Sequence, residues 1–344
     1  MKKNIRTLNL VKIQELLKEL GEPGFRAKQV YEWIWYKGVS NFKDMRNLPK
    51  ALLEKLEETH YIPKTKIYTE QVSHDGTIKL GFELDDKNKV EGVIIPSMGR
   101  YTACISSQVG CSLDCTFCAT GFLKRERNLT AGEIFDQVNL INNITLEHFN
   151  QKLDNIVFMG MGEPLLNYSN VIESIKVITD MKGLGFSPKR ITVSTSGISK
   201  MIVKLTDEEL GCRLALSLHE ANNEARSKIM PINDSNPLES LSEAMTYWYN
   251  KTKSRPTLEY TVIDGVNDQE QNSVDLIAFA KQFPCKINLI EYNPIAQANF
   301  EPTEEDNLEK FAQRIEDAGL IVNIRRSRGK DIDAACGQLI NTNE

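Results

Sequence analysis

Three cysteines on one short stretch carry the most chemistry in this sequence: Cys111-Ser112-Leu113-Asp114-Cys115-Thr116-Phe117-Cys118, a C-x3-C-x2-C run. Three thiolates this close along a chain can hold three irons of a four-iron cube and leave the fourth iron without a protein ligand. Reactive metal sites keep an open position that structural ones close. A zinc knot with Cys104 as fourth thiolate is the alternative, although structural zinc cysteines more often come as two separated C-x2-C pairs. A second polar group, Gly160-Met161-Gly162-Glu163-Pro164, follows the apolar run Ile156-Val157-Phe158-Met159 directly. Glycines there let backbone approach a ligand, and Glu163 can accept a hydrogen bond from an ammonium group. It lacks the third glycine of a dinucleotide fingerprint, and a plain strand-to-helix turn is its other reading. Ser194, Ser217-Leu218-His219 and Asn293 close later apolar runs. His219 taken alone is as readily a satisfied core histidine as a ligand. Cys212 and Cys285 lie in apolar stretches and read as inert buried side chains.

The elements that must position these residues alternate. Strand-like runs at Thr102–Ser107, Ile156–Met159, Ile191–Ser194, Leu214–Leu218, Leu258–Ile263 and Ile287–Tyr292 are separated by helical patterns, and Leu320–Ile324 makes a late strand. Thr130 with Glu133 forms a capping box for the first intervening helix, and Thr303 with Asp306 is expected to begin the last one. Six or more βα units imply a parallel sheet, open or curled, with polar residues at the C-terminal strand ends where such enzymes bind ligands. Before it, residues from about Ile67 to Ile95 read as short antiparallel strands, with Asp75-Gly76 as a hairpin turn. The first seventy residues read as helical. One stripe is Leu8, Ile13, Leu16 and Leu17, another Val30, Trp33 and Ile34, and a third helix follows Asn47-Leu48-Pro49 from about Lys50 to Glu58. Its Lys28, Lys37, Lys50 and Lys55 form either a nucleic-acid-docking face or an ordinary solvated one.

Composition bounds the class. The chain has 344 residues, 41% hydrophobic and 26% charged, as in ordinary globular proteins. No run of eighteen apolar residues suggests a membrane span. The N-terminus MKKNIRTLNLVKIQELL lacks the apolar core and cleavage site of a signal peptide, so a cytoplasmic protein is expected. Seven cysteines then point to metal binding or catalysis rather than a disulfide framework. A net charge of −5 does not by itself indicate a nucleic-acid binder. Local basic runs could still neutralise phosphates, as at Lys124-Arg125-Glu126-Arg127 and Arg325-Arg326-Ser327-Arg328-Gly329-Lys330.

The C-x3-C-x2-C run resembles the signature of the radical-SAM superfamily. There the open iron of a [4Fe-4S] cluster is chelated by the amino and carboxylate groups of S-adenosylmethionine, and an electron cleaves the sulfonium to a 5′-deoxyadenosyl radical. More narrowly, VEGVIIP (90–96), CISSQVGCSLDCTFCATG (104–121), FMGMGEPLLN (158–167), STSGI (194–198), SLH (217–219), MPIND (230–234), YNPI (292–295) and IDAACGQL (332–339) together resemble the RlmN-type rRNA/tRNA adenine-C2 methyltransferases. The resemblance runs from about residue 20 to the C-terminus. A sister family methylates adenine C8 in 23S rRNA and confers antibiotic resistance; it tends to carry Ala where this chain has Pro164, which favours the C2 reading. The resemblance implies an α/β fold, a partial (β/α)6 radical-SAM barrel with a small helical N-terminal domain and a short C-terminal extension. It implies Cys111, Cys115 and Cys118 as cluster ligands, with cofactor contacts from Gly162, Glu163, Ser194, Ser217, Leu218, His219 and Asn293.

Adenine C2 is an electron-poor sp² carbon and cannot simply attack a methyl sulfonium. The family's implied answer spends two S-adenosylmethionine molecules: one methylates Cys336, and the other supplies the radical that takes a hydrogen from the S-methyl group. The methylene carbon then adds to C2. Glu91 is implied as the proton acceptor, and Cys104 as the resolving cysteine that releases product through a transient disulfide with Cys336. The expected division is residues 1–65 as a helical RNA-docking module, 66–100 as a β-hairpin connector carrying Glu91, 101–300 as the radical-SAM core, and 301–344 as a C-terminal helix, strand and Cys336 loop. The expected partners are 23S rRNA at the peptidyl-transferase centre, tRNA at the adenine 3′ of the anticodon, and an electron donor such as flavodoxin, with no membrane and a monomeric chain. A non-catalytic, zinc-bearing RNA-binding protein is the competing reading from a different class.

Overall fold

The computed structural model describes residues 2–340. Three helices open the chain: α1 (Leu10–Glu19), α2 (Phe25–Trp35) and α3 (Lys50–Thr59). Asn9 caps α1 by accepting from the Lys12 amide at 2.9 Å, as a short polar side chain at that position should. Ile13, Leu17, Val30, Ile34, Leu52 and Leu56 turn inward and are fully buried, as the stripes required. This unit packs onto α4 (Ala131–Phe149) rather than standing apart. Arg6, buried, meets Asp136 at 2.5 Å and donates to the Ile34 carbonyl at 3.2 Å, while Trp35 lies edge-on to Phe135. β1 (Lys3–Asn4) and β2 (His60–Tyr61) pair in parallel beside it.

One ten-stranded sheet forms the rest of the scaffold. β3 (Lys66–Val72), β4 (Ile78–Glu83) and β5 (Lys89–Ser97) are antiparallel and join β6 (Arg100–Cys104). From β6 the sheet continues in parallel through β9 (Asn155–Phe158), β10 (Ile191–Thr195), β11 (Arg213–Ser217), β12 (Thr257–Val262), β13 (Lys286–Glu291) and β14 (Val322–Arg325). The short pair β7 (Gln108–Val109) and β8 (Arg127–Asn128) lies outside it. Helices α5 (Tyr168–Thr179), α6 (Ser199–Asp207), α7 (Asn223–Ile229), α8 (Leu238–Thr252), α9 (Glu270–Ala280) and α10 (Glu305–Asp317) cross between strands. β3 and β14 are the free edges, yet the sheet is curled. Five strand spacings separate β14 from β9, roughly 24 Å if the sheet were flat. The Arg325 guanidinium at the end of β14 nevertheless sits 3.6 Å from the Met159 sulfur just past β9. This is a partial barrel, as expected, with an antiparallel extension at one edge.

Two local expectations change. β6 ends at Cys104 rather than running to Ser107, because Ser107 leaves the ladder to donate to the Met161 carbonyl. Thr303 does not cap the last helix; its hydroxyl donates to Asp268 at 2.8 Å, and α10 begins at Glu305. The Thr130–Glu133 capping box forms in full. Among the described residues no helix is long and apolar enough to cross a membrane.

Candidate active site

The cysteine loop leaves the C-terminal end of β6 and is stapled at its neck. β7 and β8 pair antiparallel, Gln108 opposite Asn128 and Val109 opposite Arg127, which holds residues 110–126 as one excursion. Gly110 is required at the neck: its φ is +72°, and a Cβ there would lie 2.2 Å from the Lys124 carbonyl oxygen. Within the loop Cys118 N donates to Cys115 O and Gly121 N to Cys118 O, folding the three thiols toward one cavity of about 150 Å³. Burial pushes all three up, Cys111 to about 11, and the neighbouring cysteines push Cys115 and Cys118 the same way. A cationic metal centre would relieve both effects by taking the thiolates as ligands. Cys104 does not line this cavity, and no group of three or more His, Cys, Asp or Glu among the described residues is arranged to hold a single metal ion. The knot with Cys104 as fourth ligand is therefore not what the chain forms.

The opposite wall is made by strand ends. Gly162 has φ +89° and packs where a Cβ would fall 2.4 Å from Gln108, so the glycine segment lies directly against the neck of the cysteine loop. Gln108 fastens the contact, accepting from Glu163 N at 2.8 Å and donating to Asn128 at 2.7 Å. Glu163 lines the cavity with both carboxylate oxygens engaged, by Ser196 N at 2.7 Å and Leu165 N at 2.9 Å. Burial still raises its pKa, and these hydrogen bonds only moderate the rise. Ser194 and Ser217 face the same space with hydroxyls 3.3 Å apart. His219, in the left-handed region at φ +56°, also lines it. Burial, then the nearby Arg226 charge, pushes the His219 pKa down to about 3. The Thr261 amide donates to its Nδ1 at 3.0 Å, so the neutral ring carries its proton on Nε2. Leu218 turns into the core, with its carbonyl taken by Arg226 Nε at 3.0 Å. Asn293 lies just behind the cavity wall and donates to the Cys336 carbonyl at 3.2 Å.

Cys336 stands on a C-terminal strap, residues 326–340, tied down along its length. Asp331 accepts from the Ser73 hydroxyl at 2.6 Å, Asp75 from Gly329 N at 3.0 Å, and Gly337 O from Ala119 N at 2.7 Å. Thr120 donates to Leu339 O at 2.6 Å. These ties put Cys336 in the wall between two spaces. It lines the cavity of the three loop thiols and, on its other side, a smaller one of about 60 Å³ that contains Cys104 and Arg325. Burial, then the Cys336 charge, pushes the Cys104 thiol up to about 12, and Arg325 opposes the rise. Arg325 is in turn held charged by Cys336 before any other neighbour.

Glu91 lines neither cavity. On β5 it shares a face with Val93, whose partner across the ladder is Cys104. Its buried carboxylate meets Lys79 at 3.3 Å and accepts from Ile340 N at 3.0 Å. Cys212 and Cys285 are buried as expected and take no part.

Sequence reasoning missed three groups. Arg226 is completely buried and donates to Leu218 O, Asn233 Oδ1, Ser196 O and Ser217 O, so it ties the ends of β10 and β11 together. Tyr292 and Glu259 line the first cavity, where the Tyr292 hydroxyl and Glu259 Oε2 are buried without a hydrogen-bond partner, as is Asn293 Oδ1 close by. Buried polar atoms are rarely left so, and three around one cavity suit a polar ligand. The basic runs also changed meaning. Arg127 is paired to Asp86 and Glu133, Arg326 to Glu291 and Glu305, and Lys330 to Glu291.

Residues 3–62 match the ribosomal RNA large subunit methyltransferase N-terminal domain, and residues 105–277 the radical SAM superfamily. A relative from Cytophaga hutchinsonii, described as a probable dual-specificity RNA methyltransferase RlmN, is 54% identical over 98% of this chain and 93% of its own. Another of the same description, from Flavobacterium johnsoniae, is 51% identical over 99% of this chain and 97% of its own. The crystal structure of a radical SAM methyltransferase from Sphaerobacter thermophilus superposes with a TM-score of 0.90 at 37% identity, covering 98% of this chain and 99% of that one.

Proposed function

We propose, from the premise that this chain belongs to the dual-specificity RNA methyltransferases of the RlmN family, that it methylates C2 of adenine in 23S rRNA and in tRNA through a methyl group carried on Cys336. The position of Cys336 carries this reading: one thiol faces both the three loop cysteines and Cys104. Cys111, Cys115 and Cys118 hold the [4Fe-4S] cluster, and Gly162, Glu163, Ser194, Ser217 and His219 surround S-adenosylmethionine. Together the bound groups supply the methyl group and, from a second S-adenosylmethionine, a hydrogen-abstracting 5′-deoxyadenosyl radical.

The chain's own residues order the remaining steps. Cys336 is the nucleophile that takes the methyl group, and its strap keeps it at the boundary between the cavities. Neutral His219 orients polar cofactor atoms without adding charge. Glu91 is the proton acceptor on the Cys104 face of the sheet, and it becomes available when the Ile340 amide and Lys79 yield to substrate. Cys104 then attacks the Cys336 sulfur: the S–S bond forms as the bond from that sulfur to the transferred carbon breaks, and the carbon keeps the electron pair and takes a proton to become the methyl group of the freed base. Burial keeps the Cys104 thiol protonated, and its place across the smaller cavity from the cofactor residues reserves it for the step after transfer. The chain acts as a cytoplasmic monomer that draws its electron from a flavodoxin-type donor. The relatives and Pro164 both favour C2 over C8.

Mass spectrometry of anaerobically purified holoenzyme should find one methyl group on Cys336, and nucleoside analysis of treated RNA should find 2-methyladenosine. Methylation at C8, or methyl-RNA formed by Cys336→Ala, would overturn the reading.

A further inference from the structure

The N-terminal ends of the barrel strands form a second opening, opposite the cofactor cavity. Its volume is about 700 Å³. Arg100 opens β6, Arg190 precedes β10, Arg213 opens β11, Lys253 and Arg255 precede β12, and Lys286 opens β13; all six line this funnel and are exposed. Among the described residues none of the six makes an ion pair with a carboxylate. Arg190 donates at 3.4 Å to Asn155, another lining residue. Arg325 is the seventh cation, at the funnel's inner end. The funnel's one carboxylate, Glu259, is buried beside it at 3.8 Å. In a chain of net charge −5, six cations around one mouth, with Arg325 at its inner end, make a concentrated positive field.

The funnel leads inward. Met159 and Glu259 line both it and the cofactor cavity, while Met159 and Arg325 also line the space holding Cys104 and Cys336. Met159, Glu259 and Arg325 therefore stand between the basic mouth and the spaces that Cys336 lines. We propose that this funnel is where substrate RNA docks: its phosphates lie on the ring of arginines and lysines, and one unstacked adenine enters between the strand ends toward Cys336. This rests on the RNA-methyltransferase reading above. Guanidiniums suit phosphate oxygens through paired N–H donors. Asn155, Asn288, Thr192 and Thr257 add neutral donors and acceptors for sugar and base edges. An acidic electron-donor protein is the other occupant that this charge could attract. It would have to dock near the cluster loop, which leaves the C-terminal end of β6, whereas the funnel lies at the N-terminal ends. RNA is therefore the occupant that the geometry favours.

The test uses holoenzyme and a fluorescent RNA hairpin with an unpaired adenine in its loop. The triple variant Arg190→Gln/Arg213→Gln/Arg255→Gln should bind it about 100-fold more weakly near 0.1 M salt. The slope of log affinity against log salt should fall by about 2–3, since each phosphate contact contributes about 0.7–0.9. Replacing the same three arginines by Lys should restore most of the slope. Replacing exposed Lys228, Lys281 and Lys310 by Gln should leave it unchanged. Cys336 S-methylation needs no RNA and should persist in the Gln triple. Wild type that fails to methylate Cys336 would indict the functional reading, whereas normal S-methylation with an unaltered salt slope in the triple overturns the docking site alone. Normal RNA binding, with turnover lost only when a protein reductant replaces dithionite, would assign the funnel to the electron donor and likewise overturn the proposal.

Discussion

Arg226 offers a test in which two opposing magnitudes must be weighed. Its guanidinium is wholly buried, and burial pulls its pKa from 12.5 down to about 10, with Cys115 and Glu220 opposing. Keeping it charged inside therefore costs about 3 kcal/mol, at about 1.4 kcal/mol per pKa unit, which a neutral replacement recovers. Against that stand four acceptors: Ser196 O at 2.7 Å, Leu218 O and Asn233 Oδ1 at 3.0 Å, and Ser217 O at 3.3 Å. Each buried acceptor left unmatched costs about 1–3 kcal/mol; Leu218 O keeps the Glu220 amide at 2.8 Å, so the other three together lose about 3–9 kcal/mol. The loss wins, and Arg226→Met should destabilise the apo-protein by about 3 kcal/mol in urea unfolding. Damage should concentrate where the acceptors lie. Amide exchange at residues 217–219 should speed up far more than in β3 and β4, and S-adenosylmethionine affinity should fall because Ser217 and His219 line its cavity. Arg226→Lys keeps the charge but cannot reach all four acceptors, so it should fall between. A loss below about 1 kcal/mol, or one spread evenly over the sheet, would refute the view that Arg226 braces the cofactor wall.

Replacing Cys111, Cys115 or Cys118 singly by Ala should abolish cluster assembly, read as iron and sulfide per chain, because no other cysteine stands on that loop. Cys104→Ala should stall with RNA joined to Cys336, visible as a crosslink on a denaturing gel and absent when Cys336→Ala is added; normal turnover by the single variant would sink the resolving role. The Asp75 carboxyl is held down at about 2: burial raises it, but Thr77, Gly329 and Ser73 donate to it and win. Its tether on the strap is thus present above the ordinary value near 3.8 and is lost as pH falls through about 2. Asp75→Asn should make residues 327–340 sensitive to protease at neutral pH, where wild type resists.

Local pattern made the parallel strands, the three N-terminal helices and the Asp75-Gly76 hairpin legible, because each rests on a periodicity or a turn chemistry read from neighbours in sequence. The cysteine loop and the glycine segment were legible for the same reason: their function requires residues close together in the chain. Arg226 was not. A buried arginine differs from a surface one only in what surrounds it, and its four acceptors come from β10, β11 and the segments after α7. Thr303 failed as a cap because Asp268, thirty-five residues earlier, competes for its hydroxyl. The basic runs were legible only in part, because linear clustering says nothing of partners: Lys124 and Arg125 stay exposed. Arg127, Arg326 and Lys330 meet carboxylates brought in by the fold, while the unpaired cations are scattered between residues 100 and 286 and gathered only when the strands align.

That alignment has a consequence for how one barrel serves two kinds of ligand. Parallel strands put all their C-terminal ends on one rim and all their N-terminal ends on the other. Here the first rim carries small polar side chains and the cysteine loop, while the second carries a basic residue at or just before five of the seven parallel strands, β6 and β10 to β13. Between the rims the wall narrows to Met159, Glu259 and Arg325. Arg325 faces the funnel, the Cys104 space and Cys336 together, so a phosphate-rich ligand arriving from the funnel would compete with the Cys336 sulfur for the same guanidinium. Drawing Arg325 toward the ligand would take away the charge that opposes the rise of the Cys104 pKa. The geometry thereby couples occupancy of the funnel to the reactivity of the two cysteines through one side chain.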